Sequence, residues 1–157
     1  WDHLMFLAGL ILAARTWRSM LWVISGFTVG HCVTLLLAGS GLLVLPSRGV
    51  EAGIALSVAW VALDNLRRTE PRGRWMLASA FGLVHGLGFA GDLREIFSGE
   101  GLVKGVLGFN LGVEIGQVAV VGLLWPFLEA LRRAARPLNI LLAAAGLLLL
   151  GCRLLGP

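Results

Sequence analysis

The sequence predicts an all-α membrane protein, a polytopic bundle of about six transmembrane helices. Of its 157 residues, 57% are hydrophobic and only 14% are charged, against about 25% charged in an ordinary soluble domain. The charged residues gather in short islands, and the apolar stretches between them are long enough to cross a bilayer, at about 20 residues each. Those stretches do not alternate with a period of two, which favours helices over a transmembrane barrel.

The first half of the chain holds three predicted helices. The first, Asp2–Ala14, is short and ends at the basic island Arg15–Ser19. The second covers Met20–Ala38 and is followed by the island Pro46–Arg48, where proline predicts a break. The third covers Val50–Leu66. Because the chain opens on Trp1 rather than Met, we expect the numbering to begin inside a longer precursor.

The second half holds three more. A basic island at Arg67–Arg74 precedes the fourth helix, Trp75–Ala90, and a charged island at Asp92–Glu100 precedes the fifth, Leu102–Leu128. The sixth covers Leu138–Leu155. Because these segments leave no room for a soluble domain, residues 1–157 are predicted to form a single transmembrane helical domain.

The basic residues predict the topology. Nine of the thirteen Lys and Arg lie in the first, third and fifth loops: Arg15, Arg18, Arg67, Arg68, Arg72, Arg74, Arg132, Arg133 and Arg136. By the positive-inside rule these loops are cytoplasmic, which puts both termini outside. The net charge of +4 therefore indicates topology and not nucleic-acid binding. Cys32 and Cys152 lie far apart in apolar segments and do not indicate a disulfide framework.

Ionisable side chains occur inside the apolar segments, where a charge costs about 2.5–3.5 kcal/mol at the bilayer centre. The candidates are Asp2, His3, His31, Glu51, His85 and Glu114. The topology places Asp2, His3 and Glu51 at the outer ends of their helices and the other three near the midplane. Imidazole and carboxylate groups are ligands that divalent transition metals accept. We therefore expect a metal site in the outer half of the bundle, open to the outside.

Neighbouring residues support a polar interior. Asn110, Glu114 and Gln117 recur at i, i+4 and i+7, on one helical face, and Thr28 shares a face with His31. In the inner half of the predicted bundle, the only polar candidates are Asp64 and Asn65. Glycines repeat every four residues beside these positions and predict close helix packing; they are Gly26 and Gly30, Gly82 and Gly86, and Gly108, Gly112 and Gly116.

A plainer interpretation exists for each residue. A lone intramembrane histidine can serve only as a hydrogen-bond bridge between helices, and a protonated Glu114 can pair with Asn110. Asp64 and Asn65 can mark a helix end. The outer-loop charges Asp92, Arg94, Glu95 and Glu100 are predicted only to face solvent. The hypothesis of a metal site therefore rests on the whole set of polar residues and not on any one of them.

Five strings carry a family resemblance: DHLMFLAGLIL at 2–12, FTVGHCVTLLLA at 27–38, VEAGIALSVAWVALDNL at 50–66, FGLVHGLGFAG at 81–91 and GFNLGVEIGQ at 108–117. In this order they resemble the HupE/UreJ family, membrane proteins associated with hydrogenase and urease maturation. The resemblance implies a permease for nickel or cobalt in the bacterial inner membrane. Asp2 and His3 match a G-x-D-H motif of the family, and His31, Glu51, His85 and Glu114 match later polar positions.

Three functions are open at this point. The first is a divalent metal permease, in which Asp2, His3 and Glu51 capture a nickel or cobalt ion and pass it to His31, His85 and Glu114. The second is an intramembrane zinc-dependent hydrolase with ceramidase-like chemistry, although no H-x-x-x-H or H-E-x-x-H pair occurs. The third is a non-catalytic membrane partner in metal handling. A metallochaperone or a second copy of the chain is a possible partner.

Overall fold

The chain forms a bundle of helices in the computed structural model, which describes residues 2–67, 73–89 and 101–155 and omits the side chain of Glu129. The described residues contain no strand. The helices are α1 (Asp2–Ala13), α2 (Trp17–Gly39), α3 (Ser47–Arg67), α4 (Arg74–Gly88), α5 (Gly101–Leu124), α6 (Leu128–Arg133) and α7 (Ala135–Leu155). The all-α class is confirmed, and α1–α5 and α7 lie at the six predicted positions.

Among the residues that the structure describes, four segments are long and apolar enough to span a membrane: Trp17–Gly39, Ser47–Arg67, Gly101–Phe127 and Ala135–Leu155. With 12 and 15 residues, α1 and α4 are about 18 and 22 Å long at about 1.5 Å per residue. Both lengths fall short of the roughly 30 Å hydrocarbon core. The chain is thus a multi-pass membrane protein, while a count of six spans and the outside position of both termini stay predictions.

The predicted fifth helix is interrupted near its end. Its α-helical part ends at Leu124, and a 3₁₀ turn at Trp125–Phe127 leads into the short α6. Pro126 lies in that turn, and a proline has no amide hydrogen for the helical ladder. The apolar span nevertheless covers Gly101–Phe127, close to the predicted Leu102–Leu128, so the proline changes the type of helix near the end of this span.

Two helix pairs form the framework: α2 packs most extensively on α4, and α3 on α7. The α1 helix lies against α3, and α5 lies against α2. A buried apolar cluster fills the space between α1, α2, α3 and α4; its members are Phe6, Leu10, Val23, Phe27, Val58, Val61 and Ala78.

A hydrogen-bonded group of polar side chains, which we call the polar knot (Asp64, Asn65, Arg74 and Asn139), joins four helices at the end of the bundle where the basic loops lie. The Asn65 amide donates to Gly9 O and to Asn139 Oδ1, both at 2.8 Å. Arg74 Nη1 donates to Asn65 Oδ1 at 2.6 Å, and Arg74 Nη2 lies 4.0 Å from Asp64 Oδ2. Asp64 and Asn65 thus do more than end a helix, because they tie α3 to α1, α4 and α7.

Candidate metal site

Close packing of α2 on α4 brings two histidines together. A Cβ on either Gly30 or Gly82 would collide with a backbone carbonyl oxygen of the opposite helix, and one on Gly86 would collide with the carbonyl of His31. The glycines therefore allow the two backbones to touch, as their spacing predicts. His31 directly follows Gly30 and His85 directly precedes Gly86, so this contact brings the two imidazoles to the same level.

The third imidazole comes from the first turn of α1. The His3 ring centroid lies 4.6 Å from that of His85 and 6.5 Å from that of His31, with the rings nearly perpendicular in both pairs. His85 is 0% exposed and His31 is 3% exposed. Three helices thus contribute the chain's three histidines to one cluster, in which His31 and His85 are buried and His3 is partly buried; we call it the histidine cluster (His3, His31 and His85).

The hydrogen bonds of the cluster decide which nitrogens remain for a ligand. His85 Nδ1 lies 2.8 Å from Phe81 O, and because a carbonyl can only accept, Nδ1 carries the hydrogen and Nε2 is bare. His85 Nε2 and His3 Nε2 are buried, and neither has a hydrogen-bond partner among the described residues. A neutral imidazole whose other nitrogen donates to a carbonyl is the usual form of a metal-binding histidine.

Phenylalanines pack against all three members of the cluster. Phe6 and Phe27 lie 4.7 and 5.2 Å from His85, centroid to centroid, and Phe27 stacks on His31 at 5.8 Å. Phe89 lies 4.8 Å from His3, and Phe109 stacks on His31 at 6.3 Å. This shell lowers the local dielectric constant, so any cation that enters depends on the imidazoles and nearby carboxylates for its solvation.

A cavity of about 220 Å³ adjoins the cluster between α1, α2 and α5. His3 and His31 lie on its wall, and Gln117 lines it two helical turns from Asn110. Most of the remaining lining is aliphatic or aromatic. Gln117 Oε1 is buried without a hydrogen-bond partner in the described part of the chain, and it is a polar group that a guest in the cavity can use.

The predicted carboxylates lie around the cluster and not within it. Asp2 precedes His3 in the first turn of α1. Glu114 Oε1 accepts a 2.6 Å hydrogen bond from the Ser25 hydroxyl. Glu51 pairs with Arg153 of α7 at 2.5 Å, and both side chains are about two-fifths exposed. Glu51 is therefore engaged at the surface, although it stood with the metal-capturing residues in the sequence prediction.

The supporting residues have different surroundings. Asn110 is buried and its Oδ1 lies 2.9 Å from His31 Nδ1. Thr28 is buried, and its hydroxyl has no hydrogen-bond partner among residues 2–67, 73–89 and 101–155. Cys32 is half-buried beside the apolar cluster of Leu35. Asp64 and Asn65 belong to the polar knot.

The cluster as it stands is not a formed metal site. Within the described ranges, no three His, Cys, Asp or Glu side chains are arranged to hold a metal ion. The predicted set of six ligands is thus divided into three adjacent imidazoles, the neighbouring Asp2, and two carboxylates with partners of their own. Asp92, Arg94, Glu95 and Glu100, predicted to face solvent, lie outside the described residues.

A family model described as HupE / UreJ protein matches residues 1–156. The chain belongs to the HupE/UreJ family. This family is associated with nickel or cobalt transport or with accessory functions in metal handling. No curated protein and no solved structure matches the chain. The match covers nearly the whole chain and confirms the family that the sequence indicated.

Sequence reasoning missed the aromatic shell. The predicted ligands were found because charge in an apolar segment is conspicuous, whereas a phenylalanine in such a segment is not. A spacing signal existed: Phe27 and Phe81 each precede a histidine by four residues, which places them one turn away on the same helical face. Phe6 follows His3 by three residues, with the same consequence.

Proposed function

We propose that this HupE/UreJ protein is a permease for a divalent transition metal ion, nickel or cobalt, in the inner membrane of a bacterium. The observation that carries the proposal is the histidine cluster: His3 lies beside both His31 and His85 among phenylalanines, and the Nε2 atoms of His3 and His85 are buried without a hydrogen-bond partner in the described part of the chain. One buried histidine can be a helix bridge. Three imidazoles in one cluster place several nitrogen ligands where water is scarce.

Metal binding requires the rings to turn until their Nε2 atoms face one point at about 2.0–2.1 Å from the ion, the distance typical of zinc–imidazole bonds. The ring centroids now lie 4.6 Å (His3 to His85) and 6.5 Å (His3 to His31) apart, so binding also requires His3 and His31 to move closer together. The cavity beside His3 and His31 supplies room for these rotations.

Carboxylates complete the proposal by offsetting the charge of the ion. Asp2 adjoins His3 and is the first candidate, because a divalent cation in an apolar environment needs negative charge nearby. Glu114 lies one helical turn beyond Asn110 and accepts a hydrogen bond from Ser25; we propose it as a second binding position for the ion, although it does not line the cavity. Mixed ligands on separate helices bind less tightly than a closed thiolate site, which favours release.

Apolar side chains of α1, α2, α3 and α4 pack beside the histidine cluster. An ion that leaves the cluster toward the basic loops must therefore displace this packing. No nucleotide-binding motif occurs in the sequence, so the membrane potential, a proton gradient or capture of the ion inside the cell is the proposed energy source.

Reconstituted vesicles with a metal-sensitive dye inside test the proposal. We expect nickel or cobalt uptake by the parent protein, and loss of uptake per folded molecule in His31→Ala and His85→Ala. Cys152→Ala is the matched control, since Cys152 is a metal-binding type of residue exposed on α7 and should not affect uptake. Normal uptake by both histidine variants would overturn the site, and absence of uptake by the parent would overturn the permease.

A further inference from the structure

Asn110 makes two hydrogen bonds that together orient its amide. Its Nδ2 lies 2.8 Å from Val106 O, one turn earlier on α5, and a carbonyl oxygen can only accept. The NH₂ group therefore points to Val106, and the other end of the amide, Oδ1, faces His31 Nδ1 at 2.9 Å.

This orientation determines the tautomer of His31. Because Oδ1 can only accept, Nδ1 must donate and carries the ring hydrogen. The nitrogen left for any other partner is Nε2, on a ring that lines the cavity. His85 has the same tautomer because Phe81 O accepts from its Nδ1. Two different acceptors thus hold His31 and His85 in the same tautomer, with the hydrogen on Nδ1 and none on Nε2.

We propose that Asn110 is a positioning residue that holds His31 in the Nδ1–H tautomer and so presents Nε2 to the metal ion. The inference rests on the proposed function only for the metal ion as the ligand of Nε2. The tautomer of His31 follows from its hydrogen bond to Asn110 and does not depend on any metal. Partners of this kind fix the orientation of metal-binding histidines, and their loss typically lowers metal affinity by about 10- to 100-fold.

The bundle contains a matched control for Asn110. Asn139 of α7 is equally buried, at 3% exposed, and its Nδ2 donates to Ala135 O at 2.8 Å, again one turn earlier. Its Oδ1 accepts from Asn65 and not from a histidine. Asn139→Leu therefore removes the same amide and the same helical hydrogen bond as Asn110→Leu, in a place that does not contact the histidine cluster.

Solid-state NMR of the full chain in lipid vesicles, with ¹⁵N-labelled histidine, measures the tautomer directly. Protonated and bare ring nitrogens give well-separated signals, and the signals lost in His31→Gln belong to His31. We expect the Nδ1–H tautomer alone in the parent and in Asn139→Leu, and a mixture of tautomers in Asn110→Leu. Asn110→Asp keeps an acceptor at this position and should restore the parent tautomer.

Metal affinity supplies the second readout, with nickel or cobalt titrated into the same preparations. Asn110→Leu should bind about 10- to 100-fold more weakly than Asn139→Leu, per folded molecule. The proposal is overturned if His31 carries its hydrogen on Nε2 in the parent, or if Asn110→Leu keeps the single tautomer. If the parent binds neither metal, the permease proposal fails, and the tautomer measurement still decides the role of Asn110 in orienting His31.

Discussion

Gly82→Ala and Gly112→Ala should have different effects on stability, although they are the same substitution in two helices of the same bundle. A Cβ on Gly82 would collide with the carbonyl oxygen of Phe27 on α2, whereas no described atom lies within 4 Å of a Cβ on Gly112. The gain of about 1 kcal/mol in helix propensity from glycine to alanine applies to both variants and cancels between them. The difference is the cost of overpacking, about 1–3 kcal/mol.

Unfolding in mixed micelles by a denaturing detergent, followed by far-ultraviolet circular dichroism, measures this difference. We expect Gly112→Ala to be as stable as the parent or slightly more stable, and Gly82→Ala to be less stable than Gly112→Ala. The collision is with backbone, so no change of rotamer relieves it and α2 must move away from α4. Equal stability of the two variants, within about 0.5 kcal/mol, would refute the close packing of α2 on α4.

Three further predictions concern other parts of the chain. Asn65→Ala removes three hydrogen bonds of the polar knot and should lower the free energy of unfolding by about 2–4 kcal/mol. The control Ser40→Ala removes one exposed hydrogen bond to Leu37 O and should change the free energy of unfolding by less than about 0.5 kcal/mol. Equal effects of the two substitutions would contradict a stabilising role for the polar knot. A periplasmic reporter fused within residues 68–72 should be inactive and one fused after Pro157 active, and the reverse pattern would invert the topology. Glu95→Ala should leave metal uptake unchanged, and a loss of uptake would place a binding residue in the outer loop.

Much of the fold follows from hydropathy. The ends of α2 and α3 agree with prediction to within a few residues because charged islands and Pro46 bound them, and lipid leaves the backbone few alternatives to a helix. Hydropathy identifies an apolar segment but does not show whether its helix is long enough to cross the bilayer. The α1 and α4 helices are mostly apolar but short, and their packing against α3 and α2 is a tertiary effect.

The candidate site was predicted in part, because the residue types could be identified while their directions could not. The contact between α2 and α4 occurs where the glycines on both helices indicated it, and His3 lies beside both His31 and His85. Glu51 looked equivalent to Asp2 in the sequence, yet Arg153, about a hundred residues away, pairs with it. The glycines of α5 show the opposite error, because Gly108, Gly112 and Gly116 predicted a close neighbour and no described atom approaches them.

Metal coordination by the histidine cluster is the central claim, and X-ray absorption spectroscopy of the purified protein loaded with nickel or cobalt tests it most directly. The account predicts at least two imidazole nitrogen ligands in the parent, and loss of that signature in His85→Ala but not in Cys152→Ala. A bound ion surrounded only by oxygen ligands, or an unchanged spectrum in His85→Ala, would contradict it.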